Sequence, residues 1–111
     1  DASDRYAQLV ENHPGAPGYR AWYAVFLFRR GHNDLNRGMY ENAEESLSES
    51  IEQWKRLMKT HPKDEISWDA LPVCFEKLSH AQHRLGKFAE SEESMEKAVA
   101  SQAYLDMFSN D

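Results

Sequence analysis

Between Tyr40 and Met58 the apolar side chains Tyr40, Ala43, Leu47, Ile51, Trp54 and Met58 recur at spacings of three and four, which lays them along one stripe of a helix. The other side carries Glu41, Glu45, Glu49 and Glu52, then Lys55, Arg56 and Lys59. This acidic start and basic finish complement the helix macrodipole. A second stripe runs from Phe88 through Ser91, Met95, Ala98, Val99 and Leu105, with Glu90, Glu92, Glu93 and Glu96 early in it. Ahead of each stripe lies a less regular apolar segment, first Tyr19, Trp22, Tyr23, Phe26 and Leu27, later Trp68, Leu71, Phe75, Leu78 and Leu85. Sustained alternation of apolar and polar residues is missing and β-branched residues are few, so no strand is predicted. The pattern predicts an all-α chain with helices over 17–37, 40–60, 64–85 and 88–108 and a short one within 3–12. Pro72 lacks an amide donor and crowds the carbonyl four residues back. The third long helix therefore either begins near Asp69 or begins near Asp64 and kinks. Helix-compatible residues throughout the matching stretch favour the kink.

The two halves are copies. His13-Pro14 returns as His61-Pro62, Gly38 as Gly86, and Glu44-Glu45-Ser46 as Glu92-Glu93-Ser94, always 48 residues later. Laying 12–59 over 60–107 without a gap also matches Val25 with Val73, His32 with His80 and Leu57 with Leu105. These nine identities in 48 pairs exceed the roughly three that chance allows for such a composition. Leu27 with Phe75, Tyr40 with Phe88, Leu47 with Met95 and Ile51 with Val99 are chemically alike. The chain divides into a tail helix of a preceding unit (1–13), repeat one (14–61) and repeat two (62–111). Gly38 and Gly86 suit tight interhelical turns, where a left-handed residue ends the first helix.

Composition narrows the functional classes. In 111 residues the net charge is -6, and a surface for nucleic acid normally shows itself as a basic excess; nucleic acid is not an expected partner. Apolar runs such as Ala21 to Phe28 end at Arg29 and Arg30, far short of the ~20 residues that span a bilayer, so no membrane partner is expected either. A single cysteine, Cys74, excludes an intramolecular disulfide and fits a reducing, cytoplasmic setting. The start, Asp1-Ala2-Ser3-Asp4, has no leader-like features and reads as a cut from a longer protein.

Gly38, Tyr40, Ala43, Leu47, Ser50 and Ile51, and again Gly86, Phe88, Ser91, Met95, Ala98 and Val99, resemble the second-helix pattern of the tetratricopeptide repeat (TPR). In the preceding helix Leu27 and Gly31, then Phe75, Leu78 and Ser79, match its large-apolar and small positions. Arg30, Asp34 and Gln82 depart from it; an Arg30–Asp34 pair at i,i+4 is the expected surface compensation. The period of 48 exceeds the family's usual period of about 34. Pro14 to Gly38 and Gly38 to Pro62 are both 24 residues, so each helix is longer by about two turns, which returns the added segment to nearly the same face. Long-helix repeats of this kind are similar to arrays beside bacterial serine/threonine kinase domains. The resemblance implies antiparallel helix-turn-helix repeats in a short right-handed solenoid, and a protein-protein interaction scaffold within a larger bacterial signalling protein.

In TPR arrays the first helix of each unit lines a concave groove for a peptide or helix of a partner. The groove positions correspond to Val25, Phe28, His32, Leu35 and Asn36, and to Val73, Glu76, His80, His83 and Arg84. The lysines and asparagines with which some family grooves clamp a terminal carboxylate are replaced here by Val25, Phe28 and His32. An apolar anchor on the ligand suits the face better. The competing account is that these residues pack against an adjacent unit, and open solenoid ends carrying Tyr6, Leu9 and Val10 or Tyr104, Leu105 and Phe108 suggest homodimer formation as an alternative. Glu76, His80 and His83 share a helix face with zinc-ligand chemistry, but solvated helix histidines are the commoner case, so no metal or other cofactor is expected. Cys74 lacks an orienting group for nucleophilic work, no catalytic motif is recognisable, and the chain does not read as an enzyme. Trp22, Trp54 and Trp68 are expected in the core or between units.

Overall fold

The computed structural model describes residues 2–62 and 65–109, apart from the side chains of 65–67, 108 and 109. Among the described residues the chain forms five helices and no strand: α1 (Ala2–Asn12), α2 (Pro17–Asn36), α3 (Tyr40–Thr60), α4 (Glu65–Arg84) and α5 (Phe88–Ser109). Pro17 opens α2 from its first turn, where its missing amide costs nothing. Pro72 lies inside α4, which runs on from well before Asp69 as the kinked alternative required; Asp64, the expected start, lies outside the described residues.

The two interhelical turns are built alike. Gly38 and Gly86 have φ of 76° and 80°, the left-handed conformation that a Cβ opposes. After Gly38, the Met39 amide bonds to the Asp34 carbonyl at 2.8 Å and the Gly38 amide to Leu35 at 3.1 Å. Lys87 to Gln82 at 2.8 Å and Gly86 to His83 at 3.0 Å repeat that arrangement, the paired bonds of a Schellman cap.

Such short turns fold each helix back on its predecessor. Along α2 and α3 the contacts run in opposite directions: Gly31 faces Ala43 and Leu47, the Ser50 hydroxyl donates to the Ala24 carbonyl at 2.7 Å, and Arg20 reaches Gln53. Gly31 is required by that approach, for a Cβ there would stand 2.7 Å from Leu47 Cγ. Ser79 and Ser91 occupy the matching positions between α4 and α5, and each hydroxyl donates to the other's backbone carbonyl at 2.8 Å. Gln82 is buried and accepts from Ser94 at 2.6 Å. Arg30 does not pair with Asp34 as expected; it crosses to the Ser46 hydroxyl at 3.0 Å and lies over the Phe26 ring, because Ser46 on α3 offers a buried acceptor.

Helices consecutive in the chain pack together, and α2 additionally approaches α4, whereas among the described residues the backbones of α3 and α5 stay apart. The molecule is a slab of 43 × 38 × 19 Å. Its core joins Ala24 of α2 and Leu47, Ile51, Trp54 and Leu57 of α3 to Leu71, Cys74, Phe75 and Leu78 of α4. Trp54 is enclosed and Trp68 stacks on Tyr104 at 4.6 Å. Trp22 corrects the expectation of a core or inter-repeat tryptophan. It is 67% exposed, since α2 has its inner side on α3 and its flank on α1, and Trp22 faces neither. No described helix is long and apolar enough to cross a membrane.

Candidate functional site

Where α2 runs beside α4, side chains at helical spacing meet across the seam. Val25 and Phe28 come from α2, Asp69, Ala70, Val73 and Cys74 from α4, and Trp54 of α3 closes the floor. Together they line a cleft of about 280 Å³ whose walls are almost wholly apolar. Val73 is exposed, and Val25 and Phe28 are half-buried, so the apolar surface is open to a ligand from above. Asp69 places a carboxylate at the rim.

The floor is polar beneath its apolar lining. Cys74 is buried and unpaired, and burial pushes its thiol up to about 11, an effect that its contacts with Ser50 and Trp54 only partly offset. The Ser50 hydroxyl lies 4.0 Å from the sulfur. The Trp54 indole N–H is enclosed beside the sulfur, outside good hydrogen-bond geometry. A thiol in that state is neutral at physiological pH and a poor nucleophile, which agrees with a structural role.

The residues singled out in the sequence divide. Val25, Phe28 and Val73 meet in the α2–α4 cleft. His32 is half-buried beside it, stacked on Phe28 with centroids 6.2 Å apart and within 3.3 Å of the Asn36 amide nitrogen. Its other ring nitrogen, Nδ1, is enclosed without a partner. Leu35 belongs to the core, not to a ligand-facing surface; as an apolar residue one step round the helix from His32 and Asn36, it turns inward. Glu76, His80 and His83 lie instead along a separate cleft of about 620 Å³ between α4 and α5, with Phe88 and Met95. Arg84 extends over the Tyr40 ring at 5.1 Å. Among the described residues no cluster of three or more His, Cys, Asp or Glu side chains is placed to hold a metal ion.

Asp69, Ala70 and Cys74 were missed, although Asp69, Ala70 and Val73 stand at the spacings that put them on one helix face. No local signal reveals Trp54, which arrives from a different helix. Compared with family models, with curated proteins and with solved structures, the chain matches none.

Proposed function

We propose that this protein is a short TPR-like solenoid of antiparallel helix pairs, acting as a cytoplasmic protein-protein interaction scaffold whose α2–α4 face receives a peptide or helix of a partner. The observation that carries the reading is the asymmetry of the packing: among the described residues the backbone of α2 approaches α4 while those of α3 and α5 stay apart. A slab whose first helices are closer than its second helices curves toward the first, so α2 and α4 form the inner, concave layer. The 280 Å³ apolar cleft opens at their seam.

The chemistry of the cleft specifies its ligand. One aliphatic or aromatic anchor fills the space between Val25, Phe28 and Val73, and a basic group beside that anchor answers Asp69. Affinity comes from excluding water from the anchor, and orientation from the rim charge. Fluorescence anisotropy with a panel of labelled helical peptides, each with one apolar anchor and a neighbouring Lys or Arg, tests this. Binding is expected to weaken at least about tenfold in Val73→Glu, whose exposed position leaves helical circular dichroism unchanged. Peptides that bind equally well to Val73→Glu, or a panel with no binder, would overturn the reading. Exposed Leu9 and Met107 at the two ends favour end-to-end pairing of two chains as the second reading; sedimentation as a concentration-independent monomer counts against it.

A further inference from the structure

The repeat places Phe88, Met95 and Val99 in register with Tyr40, Leu47 and Ile51, 48 residues earlier. Their surroundings differ. Leu47 and Ile51 are 0% and 5% exposed, with α4 packed along α3, and Tyr40 is half-buried. Met95, Val99 and Phe88 are 42%, 63% and 61% exposed. The sequence stripe predicts all three in a core, and the structure corrects this because among the described residues no helix lies over α5 as α4 lies over α3.

The covered face shows what the open one is built to receive. On α2–α3 the incoming helix contributes Leu71, Phe75 and Leu78 to the shared core. Its last turn then places the Arg84 guanidinium over the Tyr40 ring at 5.1 Å, and the turn that follows, beyond Gly86, brings Lys87 Nζ to Glu44 Oε1 at 2.8 Å. The register puts the Phe88 ring where Tyr40 stands and the Glu92 carboxylate where Glu44 stands. Both line the cleft of about 620 Å³ between α4 and α5, together with Met95. An aromatic face and a carboxylate at that separation favour two cations at the matching spacing.

We propose that the α4–α5 cleft is a docking surface for an amphipathic α-helix of a partner protein. That helix carries apolar side chains at the spacing of Leu71, Phe75 and Leu78 and an Arg or Lys in its last turn over Phe88, and the turn that ends it brings a Lys onto Glu92. A second copy of this chain does not supply it. In α2 the positions matching Leu78, Arg84 and Lys87 hold Arg30, Asn36 and Met39, and Tyr6 of α1 already packs on Phe26 at 5.2 Å. The helix α4 is itself held between α3 and α5. The surface is distinct from the α2–α4 cleft, so occupation of one does not require the other.

A peptide with the sequence of residues 65–87, helix-stabilised over 65–84 and left free to turn over 85–87, carries the required pattern and serves as the probe. Titrated into the isotopically labelled 111-residue chain, it is expected to shift the amide resonances of Phe88, Glu92, Met95 and Val99. Phe88→Ser is expected to weaken binding about tenfold, and Glu92→Lys about fivefold. A peptide with Glu in place of its Lys87 equivalent should restore affinity for Glu92→Lys. Both substitutions are at exposed positions and leave the fold intact. The proposal is overturned by any of three results: no shift at millimolar peptide, shifts confined to α2 and α3, or shifts at Phe88 and Met95 that appear on concentrating the chain alone, which would make a second copy the occupant.

Discussion

Replacing Gly31 by alanine sets two effects of opposite sign against each other. In an unconstrained helix interior the change stabilises by about 1 kcal/mol, because glycine has the larger backbone entropy to lose. Here the new Cβ meets Leu47 Cγ at 2.7 Å and Cδ2 at 3.0 Å. Leu47 is fully enclosed, and its Cγ is a branch point rather than a flexible end, so it has nowhere to retreat. Overpacking of this kind costs roughly 1–3 kcal/mol, and the absence of room places Gly31→Ala at the upper end. The net expectation is destabilisation by about 2 kcal/mol, a fall in Tm of roughly 8 °C or somewhat more. Urea unfolding followed by circular dichroism measures it. The second repeat supplies a control, since Ser79 stands at the matching place and the matching branch point is replaced by the unbranched Met95. In a Leu47→Met background, Gly31→Ala should therefore be close to neutral, and the double-mutant cycle should show coupling of at least about 1 kcal/mol. A Gly31→Ala protein more stable than the parent, or no coupling, would refute the argument.

Cys74 is expected to resist a thiol reagent at pH 8 in the folded protein and to react fully in denaturant, because burial holds it neutral to about pH 11. The same shift has a consequence for stability. The folded thiol ionises above the unfolded one, so its contribution is complete below about pH 9 and is lost as pH rises to about 11, a change of up to about 3 kcal/mol that should be absent in Cys74→Ser. Ser79→Ala is expected to cost about 1 kcal/mol in urea unfolding by removing the donor to the Ser91 carbonyl; a loss below a few tenths would mean that the reciprocal serine pair does not hold α4 on α5.

The helices were legible because their evidence is local. Apolar residues at three and four, a proline in a first turn and a glycine between two stripes identify helices and turns without reference to any other part of the chain. Helix α3 therefore falls on its expected 40–60, and the Glu52–Arg56 pair forms at 3.5 Å. The groove positions taken from the TPR resemblance include Val25, Phe28 and Val73, which the structure brings into one cleft. They also include Leu35, which lies one step inside that surface, and the i,i+4 spacing failed at Arg30, whose partner Ser46 lies on another helix.

A periodic pattern by itself determined that this chain is helical and where its long helices run. Only the tertiary structure decided what covers each apolar side. Leu47 and Met95 occupy the same register in the same stripe, yet one is sealed and the other open. Burial depends on whether a neighbouring element arrives over that face, and no pattern within a single helix encodes that arrival. The same reason separates the two clefts: one gathers residues of three helices around Trp54, while the other lies between α4 and α5 alone.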